Sequence, residues 1–415
     1  MSWAGHYQYN IGKKKHYLSH SIALEEPMDF EENIPVLVCF SHLRWRFVYQ
    51  RPQHLMSRAA RTYRVIFVEE PIATERAMPW LELCDDKSGV EVLIPRLPDR
   101  YLADEEARND AQRTLLSHSL RNLPLGRFIA WYYTPMSLPY SDHLEPSLTV
   151  YDCMDELSAF KQAPPELVER ERRLIEKADL VFTGGLSLYD AKRQLHSRVY
   201  PMPSSVDIEH FSTAREPLPE PQDQAEIAHP RLGFHGVIDE RLDLALLDEV
   251  ARQRPNWQFV LVGPVAKIDE DSLPERANIH YLGGKPYDEL PDYLAGWDVA
   301  LMPFALNEST RFISPTKTPE YLAGGRPVVS TPITDVVRTY GDTGIVRIAR
   351  NAPEFIAAID AGLKDMQSKD SLQQAADSVL EGMSWDNTWE LMEEKINAQF
   401  EELRYGRDSG LAANQ

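Results

Sequence analysis

This chain predicts an α/β fold of two doubly wound domains, on three observations. Short apolar runs such as VLVCF at 36–40 and QFVLVG at 258–263 alternate with stretches of helical length, the pattern of buried parallel strands separated by helices. The 415 residues exceed what a single core holds. The segment EPLPEPQDQAEIAH at 216–229 is rich in proline and acid, lacks periodicity, and divides the alternation in two.

Composition narrows the function classes. Hydrophobic residues make up 43% and charged residues 26%, an ordinary globular balance. A net charge of −20, with no basic domain, excludes nucleic acid as a partner and leaves at most a peripheral contact with an anionic membrane. Any phosphate site must then be built locally from Arg, Lys and helix ends. No run approaches ~18 apolar residues and the N-terminus has no leader pattern. Cys39, Cys84 and Cys153 are scattered, without metal spacing, and suit a reducing compartment. A cytoplasmic protein is expected, with contact limited to the inner face of a membrane.

Residues 1–32, including Lys13-Lys14-Lys15, read as an extension with little periodicity. The first domain, 33–213, opens with strand 36–40, a loop SHLRWRFVYQRP, a helix from about Gln53, and a strand at 63–68. The loop lacks G-x-G-x-x-G, so a dinucleotide fingerprint is absent and a dehydrogenase is disfavoured. Instead it carries Arg44, Arg46 and Arg51 with Trp45 and Phe47, at the end of a first strand where open sheets bind ligands. The arginines suit an acceptor phosphate or acidic sugar and the rings a sugar face; pairing with some of the 64 acidic residues fits them equally. Further strands are read near 90–94, 127–133, 148–152 and 179–183, with helices near 104–121, 165–177 and 187–195.

Asp152, Asp155 and Glu156 crowd three carboxylates past one strand end. Such crowding raises at least one pKa toward that of a general base, while an N-cap with surface charges also fits. The linker is set at 214–229 and the second domain at 230–383. That domain opens with RLGFHG and Asp239 as N-cap of a helix to about Gln253. Strands follow at 257–262, ending in the Gly263-Pro264 turn, then at 278–282 and 298–302. A helix from Ser384, with Trp385, Leu391 and Ile396 as its apolar stripe, spans 384–406, and 407–415 reads as a disordered tail.

The stretch NESTRFISPTKTPEYLAGGRPVVST, 307–331, reads as loop, helix, Gly turn and short buried strand. A loop feeding a helix start offers free amides and a positive dipole to a phosphate. Lys317 adds a charge there, and Glu320, a turn later, can accept two sugar hydroxyls. A capped helix with a solvated Lys and Glu fits the same pattern.

The run PxKxxEYLAxGxPVVST resembles the donor-site segment of GT-B glycosyltransferases, which implies two facing Rossmann-like domains and a C-terminal helix crossing back to the first. In that family a Glu holds the ribose of a nucleotide sugar and helix amides hold its diphosphate, a role the resemblance carries to Glu320, Thr316 and Lys317. Many retaining members carry a second Glu eight positions earlier. Phe312 stands there instead, so either Glu308 or Asn307 covers the role or the sugar is held differently. Resemblance also implies donor contacts at Gly236, Arg241 and Gly263, at the base loop Lys285 and Tyr287, and at Arg311 and Ser314. Asp155, in a Tyr-x-x-x-Asp run, is similar to the aspartate base of inverting glucuronosyltransferases of bacterial polysaccharide assembly.

The reading is transfer of a sugar from a nucleotide diphosphate sugar, UDP-sugar first among them, to a sugar or lipid-linked hydroxyl. It needs no cofactor, and the leaving group is held without metal. Asp155 or Asp152 would be the base, with Arg44, Trp45, Arg46 and Arg51 on the acceptor side. An epimerase of the same fold, or a non-catalytic nucleotide-sugar-binding partner, would use the same donor wall.

Overall fold

The computed structural model describes residues 21–31, 33–123 and 128–412, with side chains as far as 403. Most of the extension, including the three lysines, lies outside them. The first sheet contains β1 (Ser21–Leu24), β2 (Val36–Phe40), β3 (Arg64–Val68), β4 (Ile72–Ala73), β5 (Trp80–Asp85), β6 (Glu91–Leu97), β7 (Phe128–Tyr132), β8 (Leu148–Cys153), β9 (Leu180–Thr183) and β10 (Val199–Pro201). Their order is β1-β5-β6-β3-β2-β7-β8-β9-β10, with β4 paired to β6. From β6 through β10 the pairs are parallel, while β1 and β5 form an antiparallel edge.

The doubly wound pattern follows from side-chain alternation. Along β2, Leu37 and Cys39 enter one apolar core, and Val36, Val38 and Phe40 enter the other. The second sheet holds β11 (Arg231–His235), β12 (Gln258–Val262), β13 (Ile279–Tyr281), β14 (Val299–Met302), β15 (Val328–Ser330) and β16 (Val346–Ile348). It is parallel throughout, in the order β13-β12-β11-β14-β15-β16.

Several expected details shift. Val206, Phe211 and Ala214 pack in the core of the second sheet, so the chain changes domain before 213. The proline-rich linker is anchored: buried Gln224 donates to Tyr293 O at 3.0 Å and accepts from Trp297 Nε1 at 2.9 Å. The helix after β11 is Leu244–Gln253, and its N-cap is Asp243, not Asp239. The C-terminal helix runs Trp385–Ala412, past the expected stop. Ser384 Oγ caps it, accepting from Asn387 N at 3.0 Å. Its buried stripe is Trp385, Trp389, Met392 and Ile396, packed in the first domain's core beside Trp131 and Leu55. Leu391 is 51% exposed and lies off that stripe. Arg58 and Arg61 both bind Asp386, tying the helix start to the first domain. Among the described residues, no helix is long and apolar enough to cross a membrane.

Candidate active site

The two sheets point their carboxyl ends at a shared cleft of about 1120 Å³, lined by both domains. Its second-domain wall is organised by the helix Lys317–Ala323. Gly325, at φ 70°, takes the left-handed turn that ends this helix, and β15 follows directly.

Ser314, Thr316, Lys317 and Glu320 all face the cleft, with Gly236 and Gly263 beneath them. Gly236 has φ 132°, and a Cβ there would lie 2.3 Å from Lys317 Cε. A Cβ on Gly263 would meet Gly236 O at 1.8 Å. Two glycines thus let the β11 and β12 turns nest and let the lysine cross them. Burial lowers the Lys317 pKa, partly offset by Glu320. Burial also raises Glu320 to about 7, against the pull of Lys317 and the Thr316 hydrogen bond. His235 Nε2 lies 3.5 Å from Glu320 Oε2 and, through burial, is held neutral. A half-buried lysine that faces the cleft and whose nearest carboxylate is only partly ionised suits an anion.

Arg241 lines the cleft, three residues before the helix Leu244–Gln253 begins. Asp239 grips it in a fork, Nη2 to Oδ2 at 2.7 Å. Facing it from the first domain is Asp155, raised to about 6 by burial and held down by Arg241 and Lys267 across the cleft. Phe160 lies under both cations, 5.9 Å from the Arg241 guanidinium carbon and 5.2 Å from Lys267 Nζ. Lys267 belongs to no motif of the sequence. It sits in an irregular loop at φ 60°, with no periodic signal to mark it.

The structure corrects several expected roles. Asp152 is fully buried and takes three hydrogen bonds from Arg51, whose Nη1 donates to Met202 O at 2.8 Å. That pair is framework, which removes Asp152 as base and Arg51 as acceptor contact. Trp45 is 6% exposed and packs edge-on against Phe67 at 5.0 Å, so its ring belongs to the core. Arg44 binds Glu69 at 2.9 Å and the Glu70 carbonyl, shaping the loop. Arg46 is exposed at the cleft.

On the other wall, Tyr287 is stacked by Tyr49 at 4.5 Å and His210 at 4.4 Å, so no face of its ring is left for a base. Lys285 is held by Asp223 at 2.5 Å. Asn307 caps its own turn through Thr310 N and donates to Glu240 O at 3.1 Å. Arg311 is exposed beside Glu308, and neither lines the cleft. Phe312, where the resemblance places a Glu, packs against the first domain's core. Among the described residues, no three His, Cys, Asp or Glu side chains gather as a metal group.

Comparison with known proteins agrees with this geometry. Residues 229–365 match the model of the family described as glycosyl transferases group 1. A putative teichuronic acid biosynthesis glycosyltransferase, TuaH of Bacillus subtilis (strain 168), is 28% identical over 221 residues, 49% of this chain and 55% of the relative. The match therefore spans about half the length of each. Sucrose-phosphate synthase from Thermosynechococcus elongatus superposes with a TM-score of 0.66 at 13% identity, over 89% of this chain and all of that one. A trehalose-6-phosphate protein from E. coli bound with UDP-2-fluoro glucose gives 0.63 at 13%, over 88% and 98%. The catalytic domain of starch synthase IV from Arabidopsis thaliana, bound to ADP and acarbose, gives 0.64 at 10%, over 89% and 100%. These likenesses show the fold, which is GT-B.

Proposed function

We propose that this protein, a GT-B fold whose residues 229–365 match the model of the group 1 glycosyl transferases, is a glycosyltransferase. It moves a sugar from a nucleotide diphosphate sugar to a hydroxyl acceptor in cell-surface polysaccharide assembly. The observation that carries the reading is the placement of half-buried Lys317 and buried Glu320 on the cleft wall at the start of one short helix. Lys317, the Thr316 region amides and Arg241 would take the diphosphate, whose charge grows as the sugar leaves. Glu320 would accept the ribose hydroxyls.

Asp155 is the base that takes the acceptor proton, its pKa of about 6 leaving it ionised at neutral pH. Arg46 is the acceptor-side cation. A UDP-sugar is the first donor to try, supported by the UDP-sugar analogue in the E. coli neighbour. The TuaH relative supports the polysaccharide context.

A thermal-shift screen of UDP, GDP, ADP and dTDP tests the donor side, because a ligand that binds the native state raises its melting temperature. The reading predicts one clear winner, whose effect Glu320→Ala removes. No shift with any of the four would contradict it.

A further inference from the structure

The helix Leu186–Lys192 is bonded at its start to the donor domain and at its end to the loop that carries Asp155. Ser187 N donates to Asp335 Oδ1 at 2.9 Å, and Asp335 comes from the second domain's helix Thr334–Tyr340. Gly185 makes room for that carboxylate, since a Cβ there would sit 2.3 Å from Asp335 Oδ2 and 2.8 Å from Ser314 Cβ. One turn on, Arg338 reaches back across the interface to Asp190 at 2.7 Å.

At the other end, buried Lys192 places Nζ 2.7 Å from Glu156 Oε2 and 2.7 Å from Glu171 Oε2. Glu171 is fixed in turn by the Tyr151 hydroxyl at 2.9 Å, on β8. Glu156 is the residue after Asp155.

We infer that this helix is a strut that seats Asp155 when the two domains meet, which makes Asp335 and Lys192 positioning residues. Seven residues span only about 10 Å, and a helix that short moves as a rigid unit. Lys192 is 6% exposed and cannot leave its carboxylates without stranding buried charge. Displacement at the Asp335 end therefore arrives at Glu156 rather than dissipating in side chains. The strut's purpose rests on Asp155 as base, but its mechanics do not.

Hydrogen exchange by mass spectrometry on the full chain tests it. Asp335→Ala should speed exchange at least fivefold at 186–192 and also at 153–157, leaving 44–51 and 317–323 unchanged. Combined with Glu156→Ala, which cuts the side-chain link but leaves Gly184 N donating to Cys153 O, Asp335→Ala should add less at 153–157 than it does alone. Faster exchange confined to 186–192 would overturn the strut, and so would equal acceleration of all cleft segments, which is simple opening. Additive effects in the double variant would overturn it too. If Asp335→Ala does not fold, Asp335→Leu gives the same readout, since it keeps the side-chain bulk and removes the acceptor of the Ser187 N–H. Failure of the wild-type protein to bind any nucleoside diphosphate would remove the transferase reading and leave the exchange result standing.

Discussion

Lys317 lies across Gly236 so closely that a methyl group on residue 236 would come 2.8 Å from its Nζ. The lysine's reach into the cleft is thus set by the absence of a side chain eighty-one positions earlier in the chain. Gly236→Ala should push the ammonium aside and strain a backbone at φ 132°. Nucleoside diphosphate affinity should fall about tenfold, ~1.4 kcal/mol, as measured by calorimetry. Unchanged affinity would show that Lys317 does not depend on that gap.

Arg51 and Asp152 offer a contrast between framework and site. Arg51→Met would leave the carboxyl of Asp152 0% exposed and without its counter-ion. Removing one partner of such a pair costs about 3–5 kcal/mol. Denaturant unfolding should show that loss, and nucleotide binding by the folded fraction should be normal. A variant of wild-type stability but poor acceptor use would return Arg51 to the acceptor site.

Glu320 makes stability depend on pH. Its folded pKa of about 7 lies above the usual 4.5. The native state therefore holds this proton more tightly than the unfolded chain does. The associated stability is present in full below pH 4.5 and is lost as pH rises through 7; the difference converts to about 3 kcal/mol at most. Glu320→Gln should flatten the ligand-free melting temperature between pH 5 and 8. An equal slope in both proteins would mean that Glu320 titrates normally.

Asp155→Asn should lower transfer about 10²–10⁴-fold while leaving nucleoside diphosphate affinity within a factor of two. In the wild-type protein, kcat/KM should fall below pH 6 with unit slope, following the Asp155 pKa. Full activity in the Asn variant would transfer the base role elsewhere.

The buried strands are legible in sequence because both faces of β2, β7 and β8 are covered, leaving unbroken apolar runs. β5 is not, since only Leu81 and Cys84 of its six residues are buried and no single period emerges. The helix Lys317–Ala323 announces itself through its Gly turn and the strand after it. Arg51 cannot be sorted from Arg46 by sequence, because what sets it apart is Asp152, a partner 101 residues away. Lys267, Phe160 and Asp335 are also silent. Their roles come from the meeting of two domains, which no local pattern records.

Lys317 is the residue on which diphosphate binding turns. Calorimetry on wild type and Lys317→Ala, using the best nucleoside diphosphate and its parent nucleoside, measures this directly. At least a tenfold loss is expected for the diphosphate and less than twofold for the nucleoside. Equal losses for the two ligands would contradict it.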